Sequence, residues 1–406
     1  MRVLIAHNSY QQPGGEDRVA AAEGSLLEQN GHEVIWFRRH NDAVSQYSAT
    51  GMAMRTIWNR AIYSELRALL RRTRPSVCHV HNTFPLMSPA VFYAARAERI
   101  PVVLTVHNYR LLCPGSTFLR GGAVCQDCLS KTLPWPGVWH ACYRHSRPAT
   151  AATAAMLAVH RLAGTWRKAI GLYVAPAAFT RRKLIEGGLP AEKIAVKPNF
   201  LESDPGFAAG GRNGALFAGR LAPEKGIETL LDAWKQLSGP MPLRIAGDGP
   251  LAGRVAAAAA ADPRIEWLGA ISHGQVIDEM KRAQVLLFPS VWYEVLPLTL
   301  IEAYATGLPV IAARIGAVEE VVIDGETGLF ATAGDAADLA RRLSWCAQHP
   351  GELVRMGVRA RQRFDDRYTA AANYQQLIGL YARVRASDCA ALFMERREGP
   401  VVDSYR

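Results

Sequence analysis

"RVLIAHNSYQQPGGEDRVAAAEGSLLEQNGHEVIWF", residues 2–37, sets the architecture. "RVLIAHN" (2–8) is a short apolar run of strand length, and "EDRVAAAEGSLLEQNG" (16–31) carries apolar residues at helical spacing and closes on Gly31. "HEVIWF" (32–37) returns to a strand pattern. Strand, helix and strand in that order make a βαβ unit, whose crossover requires two parallel strands.

The unit then repeats. "SVCHVHN" (76–82), the helix "SPAVFYAARAERI" (88–100), "PVVLTVHN" (101–108) and "IGLYVAP" (170–176) continue a first series. A second series opens with the strand "GALFAGR" (214–220), the helix "GIETLLDAWKQL" (226–237) and the strand and glycine turn "PLRIAGDGP" (242–250). It continues through "RIEWLGA" (264–270), "QVLLFPS" (284–290), "PVIAARIG" (309–316) and "TGLFA" (327–331). "FLESDPGFAAGGRNG" (200–214) separates the two series and reads as a linker. The predicted fold is α/β, with two Rossmann-like domains facing a central cleft. The domains are 1–199, with a cysteine-rich insertion at about 110–145, and 214–365, joined by linker 200–213. A helix within 366–388 is expected to cross back to the first domain, and 389–406 reads as a basic, disordered tail.

Composition supports two cores. The chain has 406 residues, 49% of them hydrophobic and 20% charged, and it lacks an apolar run of spanning length. The N-terminal run stops at a histidine and reads as a strand rather than a secretory signal, which predicts a cytoplasmic protein. Charge is uneven: residues 1–200 hold 25 Lys and Arg against 11 Asp and Glu, and residues 201–406 hold 22 against 25. The first half therefore suits an anionic partner, either a phosphorylated substrate, an anionic membrane surface or a nucleic acid.

Several residues fall where open α/β sheets bind ligands, at the carboxyl ends of strands. "FAGRLAPEKGIETL" (217–230) leaves a strand through Gly219 and places Arg220 and Lys225 before a helix, a combination suited to a diphosphate. A solvated loop is the alternative. Gly247 and Gly249 in "IAGDGP" end the neighbouring strand with a turn that lets backbone approach a ligand. "SVWYEVLPLTLIEA" (290–303) puts Glu294 in a loop and Glu302 on a buried helix that starts after Pro297 and is capped by Gly307. A carboxylate in so apolar a segment needs a cation, hydrogen-bond donors or ligand hydroxyls.

"GRLAPEKG", "GDGP", the two glutamates at 294 and 302, "EAYATGLPVIA" and "GAVEEVVIDGETGLF" together resemble, in order and spacing, the C-terminal domain of retaining, nucleotide-sugar-dependent glycosyltransferases of family 4 (group 1), which have the GT-B fold. "GGEDRV" (14–19), "VLTVHN" (103–108) and "VKPNF" (196–200) extend the resemblance to the first domain. It implies a hexosyltransferase whose donor is a nucleotide-diphosphate sugar, with no cofactor for the chemistry. Arg220 and Lys225 would hold the diphosphate and stabilise the departing nucleotide, and Glu302 would accept from the ribose hydroxyls. Glu294 would read the donor sugar, His107 would lie near that sugar, and Gly14 and Gly15 would approach the phosphates. The loop Val295, Leu296, Pro297 and Leu298 would serve the nucleotide sugar through its backbone. The family usually has glycine where this chain has Val295, which implies a differently shaped sugar pocket.

Cys113, Cys125, Cys128 and Cys142 in the insertion have a composition suited to structural zinc, with four unlinked thiols as the alternative. "HRLAGTWRKAIGLY" (160–173) offers Arg161, Arg167 and Lys168 beside Trp166 to a membrane surface, or else is a solvated helix with a core tryptophan. The expected acceptor is a glycan, carried on a lipid at the cytoplasmic membrane face. Two other readings compete: a sugar-nucleotide epimerase of the same fold, and a zinc-containing nucleic-acid-binding protein. The first lacks a second acid and base pair in the sequence. The second leaves Arg220, Lys225, Glu294 and Glu302 unused, and no nucleic-acid partner is expected.

Overall fold

The structure, a computed structural model, describes residues 1–12, 14–207 and 211–397, with side chains through residue 386. Two six-stranded parallel sheets form two domains. The first sheet contains β1 (Arg2–Ser9), β2 (Glu33–His40), β3 (Val77–Asn82) and β4 (Val102–Thr105). An antiparallel pair, β5 (Leu119–Arg120) and β6 (Ala123–Val124), stands apart before β7 (Leu172–Ala175) and β8 (Ile194–Val196) complete the sheet in the order β2-β1-β3-β4-β7-β8. The second sheet uses β9 (Ala215–Ala218), β10 (Leu243–Ala246), β11 (Ile265–Gly269), β12 (Val285–Phe288), β13 (Val310–Ala313) and β14 (Gly328–Ala331), in the order β11-β10-β9-β12-β13-β14. The direction of winding reverses between β1 and β3 and again between β9 and β12, so each sheet has its ligand crevice there.

Both faces of each sheet are covered, which is why the strands read as continuous apolar runs. Along β1 the side chains alternate: Leu4 and Ala6 face the helices that carry Ile62, Leu66 and Val91, while Val3 and Ile5 face Leu27, Leu377 and Tyr381. Leu377, Tyr381 and Val384 belong to helix Ala370–Arg397, which thus lies on the first domain's sheet. This helix continues past residue 389, where a tail was expected; residues 398–406 and the Cys389 side chain lie outside the described residues. No described helix is long and apolar enough to cross a membrane.

The insertion is built of turns around β5 and β6 and the short helix Trp135–Trp139. Of the two readings of 160–173, the structure has the core tryptophan and not the membrane surface. Trp166 is buried against Phe92 and His160, and Arg161 donates to the Leu111 carbonyl at 2.7 Å, tying down the insertion from beneath. An aromatic body sealed in the core cannot reach lipid. The exposed aromatics of this region are Trp135 and Trp139 instead.

Candidate active site

The loop after β12 is the centre of the cleft. Glu294 is buried, and its Oε1 accepts from Lys225 Nζ at 2.6 Å, Trp292 Nε1 at 2.8 Å and Ser290 Oγ at 3.0 Å. Its Oε2 has no protein donor among the described residues. Three donors on one oxygen hold the carboxylate in place while the other stays available. Arg220 is exposed, directly after Gly219, and makes no side-chain hydrogen bond or ion pair among the described residues. A cation without a protein partner beside an already paired Lys225 is arranged for an external anion.

The glycines of this edge have a local reason. A Cβ on Gly247 would lie 1.9 Å from the Gly219 carbonyl oxygen, and one on Gly249 would lie 2.6 Å from that of Leu221. These residues let the β9 and β10 turns pack backbone on backbone, and so position Arg220. Gly15, which begins helix Gly15–Gln29, faces open space: no atom lies within 4 Å of a Cβ built on it. Its predecessor Gly14 donates its N–H to Asp17 Oδ2 at 2.8 Å, closing the turn.

From residue 293 the loop touches the first domain. Tyr293 lies among Phe118 and Phe179, the Glu294 carbonyl accepts from Tyr109, and Asn199 Nδ2 donates to the Leu296 carbonyl at 2.8 Å. Val295 packs on the first domain's core, and its carbonyl accepts from Thr180 Oγ1. The extra side chain at this position is thus spent on domain contact. The amides of Val295 and Leu296 donate to no protein acceptor among the described residues, and Pro297 caps helix Leu298–Ala305.

Glu302 sits on that helix and is 3% exposed. Its Oε1 accepts from Arg18 Nη2 at 2.6 Å and lies 2.9 Å from His273 Nε2. Burial alone raises a carboxyl's pKa; here the hydrogen bonds from His273 and Arg18 more than offset it and hold Glu302 below the usual range. A cavity of about 440 Å³, lined in part by Arg18, Phe200, Ser203, His273, Leu298 and Glu302, opens beside it. Arg18 comes from the first domain, so the acid expected to read a ligand is bridging the cleft. Sequence reasoning missed Arg18 and His273. The only local signal was their position in the first turns of helices, at the ends of "GGEDR" and "ISH".

Across the cleft, His107 follows β4, and its Nε2 lies 2.9 Å from His81 Nδ1. His7 Nε2 is 2.8 Å from Asp17 Oδ1. Glu16 accepts from Asn108 Nδ2 at 3.1 Å, and burial pushes its carboxyl up to about 7. Burial likewise lowers His79 to about 4 and His107 to about 3; neighbouring Lys197 adds to both, and Glu23 opposes it at His79. Unfolded, each imidazole titrates near about 6.5. As pH falls below that value the unfolded chain takes up protons that the folded domain refuses, so stability is lost between about 6.5 and the folded values. The urea midpoint should therefore be lower at about pH 5 than at about pH 7.5. Glu16, raised to about 7, gains stability over the same range and offsets part of this loss, so the decisive protein is Glu16→Gln: an unchanged or higher midpoint there would show that these rings are protonated in the fold.

Cys113, Cys125, Cys128 and Cys142 share one neighbourhood of the insertion, each of the other three acting electrostatically on Cys128. Among the described residues, the group whose ligand atoms all lie within 4.8 Å of one another is Glu23, His79 and His81, not the cysteines. At the histidine cluster, the Lys197 ammonium already lies 2.6 Å from Glu23 Oε1 and supplies the positive charge.

Comparison with known proteins places this geometry. A family model described as "Glycosyltransferase Family 4" matches residues 13–204, and one described as "Glycosyl transferases group 1" matches residues 202–363. The D-inositol 3-phosphate glycosyltransferase of Corynebacterium efficiens is 31% identical over 195 residues, 45% of this chain and 46% of that protein. The phosphatidyl-myo-inositol mannosyltransferase of Mycobacterium leprae is 31% identical over 237 residues, 55% of this chain and 62% of that protein. The chain thus spans less than two thirds of either relative. The crystal structure of Anabaena Alr3699/HepE in complex with UDP has a TM-score of 0.68 over 94% of this chain and 100% of that one, at 16% identity, and so shares the fold. Two family models that meet at the linker, on two parallel α/β domains facing one cleft, mean that the chain belongs to the group 1, family 4 glycosyltransferases and has the GT-B fold.

Proposed function

We propose that the protein is a metal-independent, retaining glycosyltransferase that moves a hexose or related sugar from a nucleoside diphosphate sugar to a glycan acceptor carried on a lipid. The observation that carries this reading is the pairing of an unpartnered Arg220 with Lys225 at the loop whose Val295 and Leu296 amides have no protein acceptor. Breaking the bond between the sugar's C1 and the phosphate oxygen builds negative charge on the diphosphate, and fixed cations and N–H donors lower that barrier. The acceptor oxygen attacks C1 on the face the phosphate leaves, and its proton passes to the departing phosphate oxygen. Glu302 accepts from the ribose hydroxyls once Arg18 gives way, and Glu294 uses its open Oε2 for the sugar. His107 and the Gly14–Gly15 turn close the site from the first domain. An epimerase would need an acid and base flanking the sugar, and Glu294 is already committed to Lys225.

The test is a panel of nucleotide sugars. One donor should raise the melting temperature and release free nucleotide when a lipid-linked glycan is added; stabilisation by none would remove the donor site. A peripheral membrane position at the cytoplasmic face is supported by the basic first half, the exposed Trp135 and Trp139, and the lipid in the name of the Mycobacterium leprae relative. Anionic vesicles should bind the protein at low salt and lose Trp135→Ala, Trp139→Ala protein. Equal, negligible retention on anionic and neutral vesicles would refute the membrane position.

A further inference from the structure

Beneath the cleft lies a buried polar chain that the proposed transfer does not use directly. Glu23, on helix Gly15–Gln29, is fully buried, as is Lys197 just after β8, and the two are paired at 2.6 Å through Glu23 Oε1. Glu23 Oε2 lies 3.5 Å from His79 Nδ1 and 3.5 Å from His81 Nε2. Both Glu23 Oε2 and His81 Nε2 are sealed from solvent and have no hydrogen-bond partner among the described residues. His81 Nδ1 is 2.9 Å from His107 Nε2, and the two rings are nearly coplanar, with planes 17° apart and centroids 5.2 Å apart, as an in-plane hydrogen bond requires. The chain therefore runs from Lys197 through Glu23 and His81 to His107, at the mouth of the cleft.

We propose that Glu23, paired with Lys197, is a positioning residue that fixes the ring proton of His81 on Nε2, and thereby makes His107 carry its proton on Nε2 and present a bare Nδ1 to the sugar. The deduction is one of donor counting. His79 places no constraint, because its partners at 2.8 Å are the hydroxyls of Tyr381 and Thr105, which either donate or accept. His81 differs: one nitrogen faces a carboxylate oxygen, which only accepts. A bare Nε2 there would set two lone pairs against each other in a sealed site, whereas an N–H presents its positive end to the carboxylate oxygen 3.5 Å away. With one proton on a neutral ring, His81 Nδ1 must then accept, and the donor opposite it is His107 Nε2–H. Protonating His81 on both nitrogens is opposed by its burial and by the neighbouring His79, His107 and Lys197. His107 Nδ1 has no protein partner among the described residues and is not sealed. It is left as an acceptor for a sugar hydroxyl.

The inference rests on the proposed transfer for its meaning, but its test does not. Ring nitrogen-15 spectra of the histidines, with His107 assigned by its loss in His107→Ala, should show Nε2 protonated and Nδ1 bare at neutral pH. In Glu23→Gln the amide is able to donate to His81 Nε2, which reverses the chain and moves the His107 proton to Nδ1. The same variant should lose about 10- to 100-fold in kcat while donor KM changes little, the size usual for a partner that orients a reacting group's neighbour. A wild-type His107 protonated on Nδ1 overturns the proposal, and needs no variant that might misfold. So does a Glu23→Gln protein with the wild-type ring pattern, or one whose kcat is unchanged. Absence of turnover with every donor tested would sink the transferase reading instead, and the ring spectra would still decide this one.

Discussion

Arg220→Ala should lower turnover about 100- to 1,000-fold with little change in stability, while Lys225→Ala should lower both. The difference follows from which protein groups each cation holds. Arg220 is exposed and engages no side-chain partner among the described residues, so removing it breaks nothing in the resting protein. Its charge is felt only when negative charge develops on the departing diphosphate. Lys225 Nζ lies 2.6 Å from Glu294 Oε1, with the carboxylate buried and the lysine side chain 22% exposed. Removing it leaves Glu294 with Ser290 and Trp292 as donors but no counter-charge, at a cost of about 1–3 kcal/mol. Turnover under saturating donor and the urea midpoint, measured on both variants, separate the roles. If Arg220→Ala turns over at the wild-type rate, the diphosphate is held elsewhere and the proposed site is wrong.

These contrasts show which parts of the site the sequence carried and which it hid. The strands, the linker and the edge on which Arg220, Lys225 and Glu294 sit were legible because parallel strands buried on both faces leave long apolar runs with polar ends. The polar clusters between distant segments were not. Arg18 meets Glu302 across 284 positions of chain, and Lys197 meets Glu23 across 174. No local pattern encodes such a pair; only the closing of one domain on the other, or of β8 on its sheet, brings the partners together. The same reason explains Trp166. Its basic neighbours at 167 and 168 left a membrane surface and a core tryptophan both open, and helix packing that turns the ring inward against Phe92 decides for the core. Val295 was legible as a departure and not as a contact, because its partner Thr180 belongs to the other domain.

Glu302 and Glu294 should fail in opposite ways. Glu302→Ala should weaken binding of the nucleoside diphosphate about 10- to 100-fold, since a charged acceptor for a buried hydroxyl is worth about 1.5–3 kcal/mol, and leave turnover at saturating donor nearly intact. Competition within the protein limits that loss. Arg18 Nη2 donates to Glu302 Oε1 at 2.6 Å and His273 Nε2 lies 2.9 Å from it, so a ribose hydroxyl competes with a protein cation for that oxygen. Arg18→Ala should therefore tighten nucleotide binding if its only role is to hold that oxygen, and weaken it if Arg18 moves onto the phosphates. Glu294→Ala should leave nucleoside diphosphate affinity within about threefold, because that ligand ends before the sugar, while lowering turnover about 100-fold. Titration calorimetry with the nucleoside diphosphate alone, set beside kcat and KM for the donor sugar, reads the two effects separately. Should both variants bind and turn over like the wild type, the carboxylates serve only Arg18 and Lys225. They would then be struts between loops, and the reading of the cleft as a donor site would lose its recognition half.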